Sequence, residues 1–266
     1  MGAVPPKPNR PAAALEPVVR AFAARSEMRP VIEFLLADLD DLGTTAAAAA
    51  AFLRPLRLQQ ATVLELGCGK GALSVKLAEE VKLEVTGVDT HEPALEEARA
   101  RAQAHGVAER CQFRCDDLRA PLAEAATYDV VLALGLAHFL GGPAAATRAL
   151  RAVVRAGGRM LVDLDCLATA GKAVPGYEAA LDREETTRLL TSHGDTVVMR
   201  WDWPPETTRR DNLRNTEAIR ARVAEARARW PERAADIDAF VSGQEARSAV
   251  LGDTVQSALW VLLRGA

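Results

Sequence analysis

Between Ala61 and about Trp203, short apolar runs alternate with longer amphipathic stretches. Val63–Leu66, Val85–Val88, Tyr128–Leu134 and Met160–Val162 are near-continuous aliphatic runs, and Gln112–Cys115 is a weaker one. Runs of this length without polar alternation read as strands buried on both faces. Between them, Ala72–Glu80 and Pro93–Ala98 have helical composition. Such a rhythm predicts a parallel sheet with helices wound on both sides. Further on, Glu184–His193 reads as a helix closed by Gly194. Thr196–Trp203 reads as a sixth strand ended by Pro204-Pro205, and Ser257–Leu263 as a last one.

The flanks have a different pattern. Residues 1–11 are Pro-rich and polar, and are expected to be a flexible tail without an apolar signal core. Residues 12–60 are expected to form an N-terminal helical cap. Glu16–Ala24 has apolar residues at helical spacing, Arg29-Pro30 opens a second helix, and Gly43-Thr44 precedes a third with a threonine N-cap. Residues 61–266 then form the main domain, with a helical insertion at about 206–256. In it Thr216–Trp230 is rich in Ala, Arg and Glu, and Asp236–Gly252 reads as another helix. Three readings stand for the insertion: a solvated helix pair with i,i+4 charge pairs, a lid over a substrate pocket, or a homodimer element.

The chemistry concentrates where the first strand ends. Glu65 precedes Gly67-Cys68-Gly69-Lys70-Gly71-Ala72, and the second strand ends in Asp89. Glycine lets a loop turn sharply and lets its backbone approach a ligand. The loop also satisfies the loose dinucleotide pattern, so a nicotinamide-dependent oxidoreductase is one reading. Glu65 opposes it, because a dinucleotide would bring a pyrophosphate to this helix N-terminus. S-adenosylmethionine carries an ammonium and a sulfonium and no phosphate, so a carboxylate nearby is favourable.

An acid followed by G-x-G-x-G resembles the first motif of the class I S-adenosylmethionine-dependent methyltransferases, of small-molecule type. Glu65, Gly67, Gly69 and Gly71 match it, and Asp89 matches the second acid, which in that family binds the ribose hydroxyls. Gln112–Leu118 looks like the third strand and its acid. Asp117 aligns with the residue that meets the adenine amino group, Asp116 could exchange roles with it, and Leu118 would pack on the ring. Cys68, Thr90 and Leu134 are placed with the same cofactor site. Arg155-Ala156-Gly157-Gly158 looks like the turn before the fifth strand, with Ala156 where most relatives have proline. The resemblance implies a seven-stranded, mostly parallel Rossmann-like α/β sheet with an antiparallel last strand. It covers Ala61 to about Trp203 and the last strand.

The same resemblance implies transfer of a methyl group from S-adenosylmethionine to an O, N or S nucleophile. That is an in-line displacement, which needs positioning and water exclusion rather than a catalytic triad. His138, in the loop after the fourth strand, is the candidate base or substrate-orienting group, and Tyr177 ranks next. Asp163, Asp165 and Lys172 are further pocket candidates that no spacing singles out. The Asn/Asp-Pro-Pro-Tyr of nucleobase and amide methyltransferases is not found after the fourth strand, and neither is an acid of the catechol-type metal set. No catalytic metal is therefore expected, and a small-molecule acceptor is favoured. An RNA or protein acceptor, and a cofactor-binding protein without catalysis, stand as alternatives.

Bulk composition agrees with this. The 266 residues are 49% hydrophobic and 26% charged, with net charge −3, which favours neither a membrane span nor a large nucleic-acid footprint. Four scattered cysteines make no disulfide framework or zinc pattern, and reduced thiols point to the cytoplasm.

Overall fold

A computed structural model describes residues 26–39, 45–56, 58 and 60–266. The expected tail and the helix expected at Glu16–Ala24 lie outside the described residues. In chain order the elements are α1 (Arg29–Leu35), α2 (Ala46–Leu53), β1 (Thr62–Leu66), α3 (Ala72–Lys76), β2 (Glu84–Asp89), α4 (Glu92–Ala104), β3 (Cys111–Cys115), β4 (Tyr128–Ala133), α5 (Pro143–Arg151), β5 (Val154–Leu167), α6 (Arg183–Leu190), β6 (Thr196–Asp202), α7 (Pro205–Arg229), α8 (Ala234–Val250) and β7 (Val255–Leu263).

The strands form one seven-stranded sheet in the order β3-β2-β1-β4-β5-β7-β6. β1 to β5 pair in parallel, and β7 runs antiparallel to both β5 and β6. The expected sheet, with its antiparallel last strand, is therefore present. Its central strands β1 and β4 are largely apolar because alternate residues feed two cores. Leu64, Leu66, Val131, Met160, Val162 and Trp260 pack on one face. Val63, Val130, Leu132, Leu161, Leu259 and Val261 pack on the other, where α2 adds Ala49, Ala50 and Leu53. Thr45 caps α2, its hydroxyl accepting the Ala48 N–H at 3.3 Å.

Two boundaries differ from the sequence expectation. The fifth strand begins at Val154, opposite Tyr128, and the pairing resumes at Arg159 opposite Val130. The residues read as a turn are thus an irregularity inside β5, where a side chain on Gly158 would strike the Val154 side chain and the Asp129 carbonyl. After β6, Pro204-Pro205 ends the strand as expected but also opens a helix. Pro204 is extended (φ −55, ψ 131) and Pro205 takes the first turn of α7, which runs unbroken to Arg229.

α7 and α8 are the helical insertion before the last strand. With α1 they form a separate apolar layer: Met28, Val31, Ile32 and Leu35 pack against Ile219, Ala226, Ile237 and Phe240. At its edge the Arg222 guanidinium lies 4.1 Å from the Phe34 ring centre and donates to both oxygens of Asp38 at 2.7 Å. No described helix is long and apolar enough to cross a membrane.

Candidate active site

The glycine loop leaves β1 at the carboxyl end of the sheet. Gly67 N–H donates to the Val88 carbonyl at 2.7 Å, and Gly71 N–H to the Cys68 carbonyl at 2.9 Å. Gly67, Gly69 and Gly71 have φ of 70°, 51° and 70°, the left-handed region that favours glycine. Their surroundings separate their roles. A Cβ on Gly67 would stand 3.2 Å from the Leu136 side chain, and one on Gly71 2.7 Å from the Ala98 Cβ. One on Gly69 would meet nothing within 4 Å. Gly69 therefore offers open backbone to a ligand, whereas Gly71 is held by packing.

The acids gather around this loop. Asp89 accepts the Gly69 N–H on Oδ2 at 2.8 Å and the His91 N–H on Oδ1 at 3.0 Å. Glu65 is buried at the end of β1 and accepts the Ser74 hydroxyl of α3. Thr90 follows Asp89, half-buried, its carbonyl 3.7 Å from the Cys115 sulfur. The paired acids after β3 are unlike. Asp116 is half-buried and tied to Arg114 at 3.3 Å. Asp117 is exposed, with Oδ1 accepting the Arg119 N–H at 2.8 Å, and Leu118 beside it is buried. Leu134 is half-buried against the core beneath β4.

Cys68 requires a correction. Its backbone belongs to the loop, but its thiol turns into the protein, filling the space that Gly87 of β2 leaves. A Cβ on Gly87 would stand 2.8 Å from the Cys68 sulfur. Burial pushes this thiol well above its usual pKa, and the charges of Glu65 and Asp89 add to the effect. The side chain is a neutral packing group and does not face the cofactor region.

Beside the crevice lies a cavity of about 330 Å³. Gly135, Ala137 and His138 after β4, and Asp163 and Asp165 of β5, form its floor. Thr45 and Ala48 of α2, Trp203, and the face of α7 from Thr207 to Asn215 close it. His138 is exposed to the cavity. Asp163 accepts the Gly135 N–H and so fixes the loop that carries His138. Asp165 accepts the Ser257 hydroxyl of β7. Burial raises the Asp165 pKa, and the Ser257 bond and the His138 charge counter part of that rise.

Tyr177 sits in a different cluster from His138. It is not among the residues lining this cavity. It packs half-buried against Leu167, Val174, Ala180 and Val255. Burial, and then the Asp165 charge, push its hydroxyl far above the usual tyrosine range. Its loop turns the ring into a small apolar cluster, the packing role that competes with catalysis for any aromatic residue. Lys172 does not line the cavity either. The residues that sequence reasoning missed are Ser257 and the polar face at the start of α7. Only their position opposite His138, set by topology, marks them.

Residues 63–158 match the family model described as a methyltransferase domain. Over that segment the chain is similar to methyltransferases. Several curated relatives align with it. A ubiquinone biosynthesis O-methyltransferase of Methylocella silvestris is 34% identical over 106 residues, covering 40% of each chain. A 27-O-demethylrifamycin SV methyltransferase of Amycolatopsis mediterranei is 31% identical over 148 residues, covering 55% of this chain and 53% of its own. The chain thus spans about half the length of these relatives or less. The methyltransferase fold extends beyond the matched segment. A S-adenosylmethionine-dependent methyltransferase of Geobacter sulfurreducens, solved with S-adenosyl-L-homocysteine, superposes with a TM-score of 0.74 over 88% of this chain and 98% of its own, at 19% identity.

Proposed function

We propose that this chain binds S-adenosylmethionine in the crevice at Gly67–Gly71 and Asp89, and transfers its methyl group to a small molecule held beside His138. The observation that carries this reading is that the two sites meet at one loop, whose Gly135, Ala137 and His138 line the cavity. The Leu136 side chain, two residues before His138, packs against Gly67 of the cofactor loop. An acceptor in the cavity would therefore lie next to whatever the loop holds.

The residues present fit the cofactor. Asp89 Oδ2 is already oriented by one N–H at 2.8 Å and has lone pairs left for ribose hydroxyls. Asp117, exposed after β3, suits an adenine amino group, and the fixed Asp116 is the alternative. The open backbone at Gly69 and the negative field of Glu65 suit a cationic, phosphate-free ligand. When bound, the cofactor supplies an activated methyl group on a positively charged sulfur. The chain then has to orient the acceptor, exclude water and take up a proton. His138 is placed to accept that proton from a hydroxyl or amine through a ring nitrogen. Asp163 holds the backbone of its loop, and Trp203 and Leu164 supply apolar cover.

The two relatives described above are named for O-methylation in ubiquinone biosynthesis and of a rifamycin, which supports a small-molecule acceptor, and a net charge of −3 disfavours a nucleic-acid acceptor. All four cysteines are free thiols, and a reducing cytoplasm is the proposed location. His138→Ala should lower kcat about 10²-fold or more, as for loss of a general base, with S-adenosylhomocysteine affinity unchanged. Undiminished turnover would remove His138 from the mechanism.

A further inference from the structure

Most of the residues lining the cavity are polar or charged in type, although their apolar atoms supply the larger share of its surface. The apolar residues among them are Ala48, Ala137, Leu164, Trp203 and Leu251. The remainder is Thr, Asn, Ser, His, Asp and Arg around the glycine at 135. A long isoprenoid or alkyl acceptor seated there would strip water from those groups without replacing their hydrogen bonds, a cost of kcal/mol order for each. A volume of about 330 Å³ lies at the lower end of the range for small-molecule sites.

The charges are arranged asymmetrically. On the floor, each carboxylate already has a partner within the fold: Asp163 the Gly135 N–H, and Asp165 the Ser257 hydroxyl. On the opposite wall, Arg210 and Arg214 stand one helical turn apart on α7. Both share one carboxylate, Asp211, at 3.3 Å and 3.8 Å. Asp211 is largely covered (23% of its side chain exposed), whereas the two arginines are mostly open (73% and 62%). Two guanidinium groups on one carboxylate leave that wall with an excess of positive charge, opposite a floor that carries the acids Asp163 and Asp165. The planar guanidinium forks retain donors suited to a second carboxylate.

We infer that the acceptor is a small hydrophilic molecule bearing a carboxylate, which Arg210 and Arg214 hold while its nucleophile meets His138. This rests on the methyl-transfer reading and adds the acceptor's chemical class to it. Asn212, Asn215 and Thr207 line the intervening wall and supply hydrogen bonds to the polar middle of such a molecule. The exposed arginines also make recognition salt-sensitive.

The test uses the full chain saturated with S-adenosylhomocysteine and three matched probes: hydroxyphenylacetate, its amide, and a hexyl phenol. Calorimetric titration should give the acid an affinity about tenfold or more above that of the amide, the scale of a charge-assisted hydrogen-bonded pair. The hexyl phenol should bind weakest. In the R210Q/R214Q double variant the preference for the acid should vanish, with S-adenosylhomocysteine affinity unchanged. Glutamine keeps helix propensity on this exposed face, and thermal melting checks the fold. Equal binding of acid and amide, no binding of the acid, preference for the hexyl phenol, or an acid preference that survives in the double variant would each overturn the inference. If S-adenosylhomocysteine itself fails to bind, the methyl-transfer reading falls and takes this inference with it. A protein that binds S-adenosylhomocysteine but shows no acid preference refutes the acceptor class alone.

Discussion

Gly69 and Gly71 have nearly the same backbone but opposite surroundings, so one added methyl group separates ligand binding from folding. Gly71→Ala would place its Cβ 2.7 Å from Ala98 at φ +70, and overpacking of that kind costs about 1–3 kcal/mol beyond the left-handed strain. Its Tm should fall clearly. Gly69→Ala meets no neighbour within 4 Å, so only about 1–2 kcal/mol of left-handed strain applies. It should melt close to wild type but lose S-adenosylhomocysteine affinity, and retained affinity would contradict the open-backbone account. Asp165 tests the cavity floor through pH. Burial holds its folded pKa above the ordinary value. The folded state therefore binds that proton more tightly, and its stabilising contribution is lost as pH rises through the raised folded pKa. At neutral pH the buried charge lowers stability, so Asp165→Asn should raise Tm there, with the gain vanishing below the ordinary Asp range near about 3.9. Melting curves from acid to neutral pH would show this, and equal Tm values at neutral pH would contradict it. At this scale the sequence was legible where residue type and spacing coincide, as at Glu65, Gly67, Gly69, Gly71 and Asp89. It was not legible for Cys68 and Tyr177, because side-chain direction depends on neighbours such as Gly87 and Val174 that lie far away in the chain.

The elements divide into a sheet with its own two cores and a helical layer of α1, α7 and α8 with a third. Ile237 is fully buried in that third cluster. Ile237→Ala should remove about 2–5 kcal/mol of packing from the layer. Hydrogen exchange should then quicken in α1, α7 and α8 while β1, β4 and β5 stay protected, and uniform acceleration would show that layer and sheet unfold as one unit. The central strands were legible because burial on both faces leaves no polar alternation to confuse the pattern. The start of α7 was not. Two prolines read as the end of β6, and the insertion's first helix is expected only from Thr216, whereas Pro205 is preorganised for a first helical turn. That misreading concealed the arginine wall of the cavity, since a polar helix face looks the same whether it meets water or a polar substrate.

For the whole molecule, topology places the candidate site at the carboxyl edge of the sheet. The chain proceeds from β1 to β2 and β3 on one side, then returns to β4 and β5 on the other. The crevice at the carboxyl ends of β1 and β4 is the switch point where ligands bind in such sheets. The glycine loop and Asp89 lie on one side of it, and His138, Asp163 and Asp165 on the other. A strand–helix rhythm in the sequence predicts this division, whereas the meeting of α2, α7 and β7 over the cavity is a tertiary fact with no local signal. Calorimetric titration with S-adenosylhomocysteine, with NADH as control, decides whether the crevice holds S-adenosylmethionine. Expected is binding near the micromolar range for S-adenosylhomocysteine, none for NADH, and at least tenfold weaker S-adenosylhomocysteine binding in Asp89→Ala, about the effect of losing hydrogen bonds to a charged group. Binding of NADH in preference, or S-adenosylhomocysteine affinity indifferent to Asp89, would contradict that assignment.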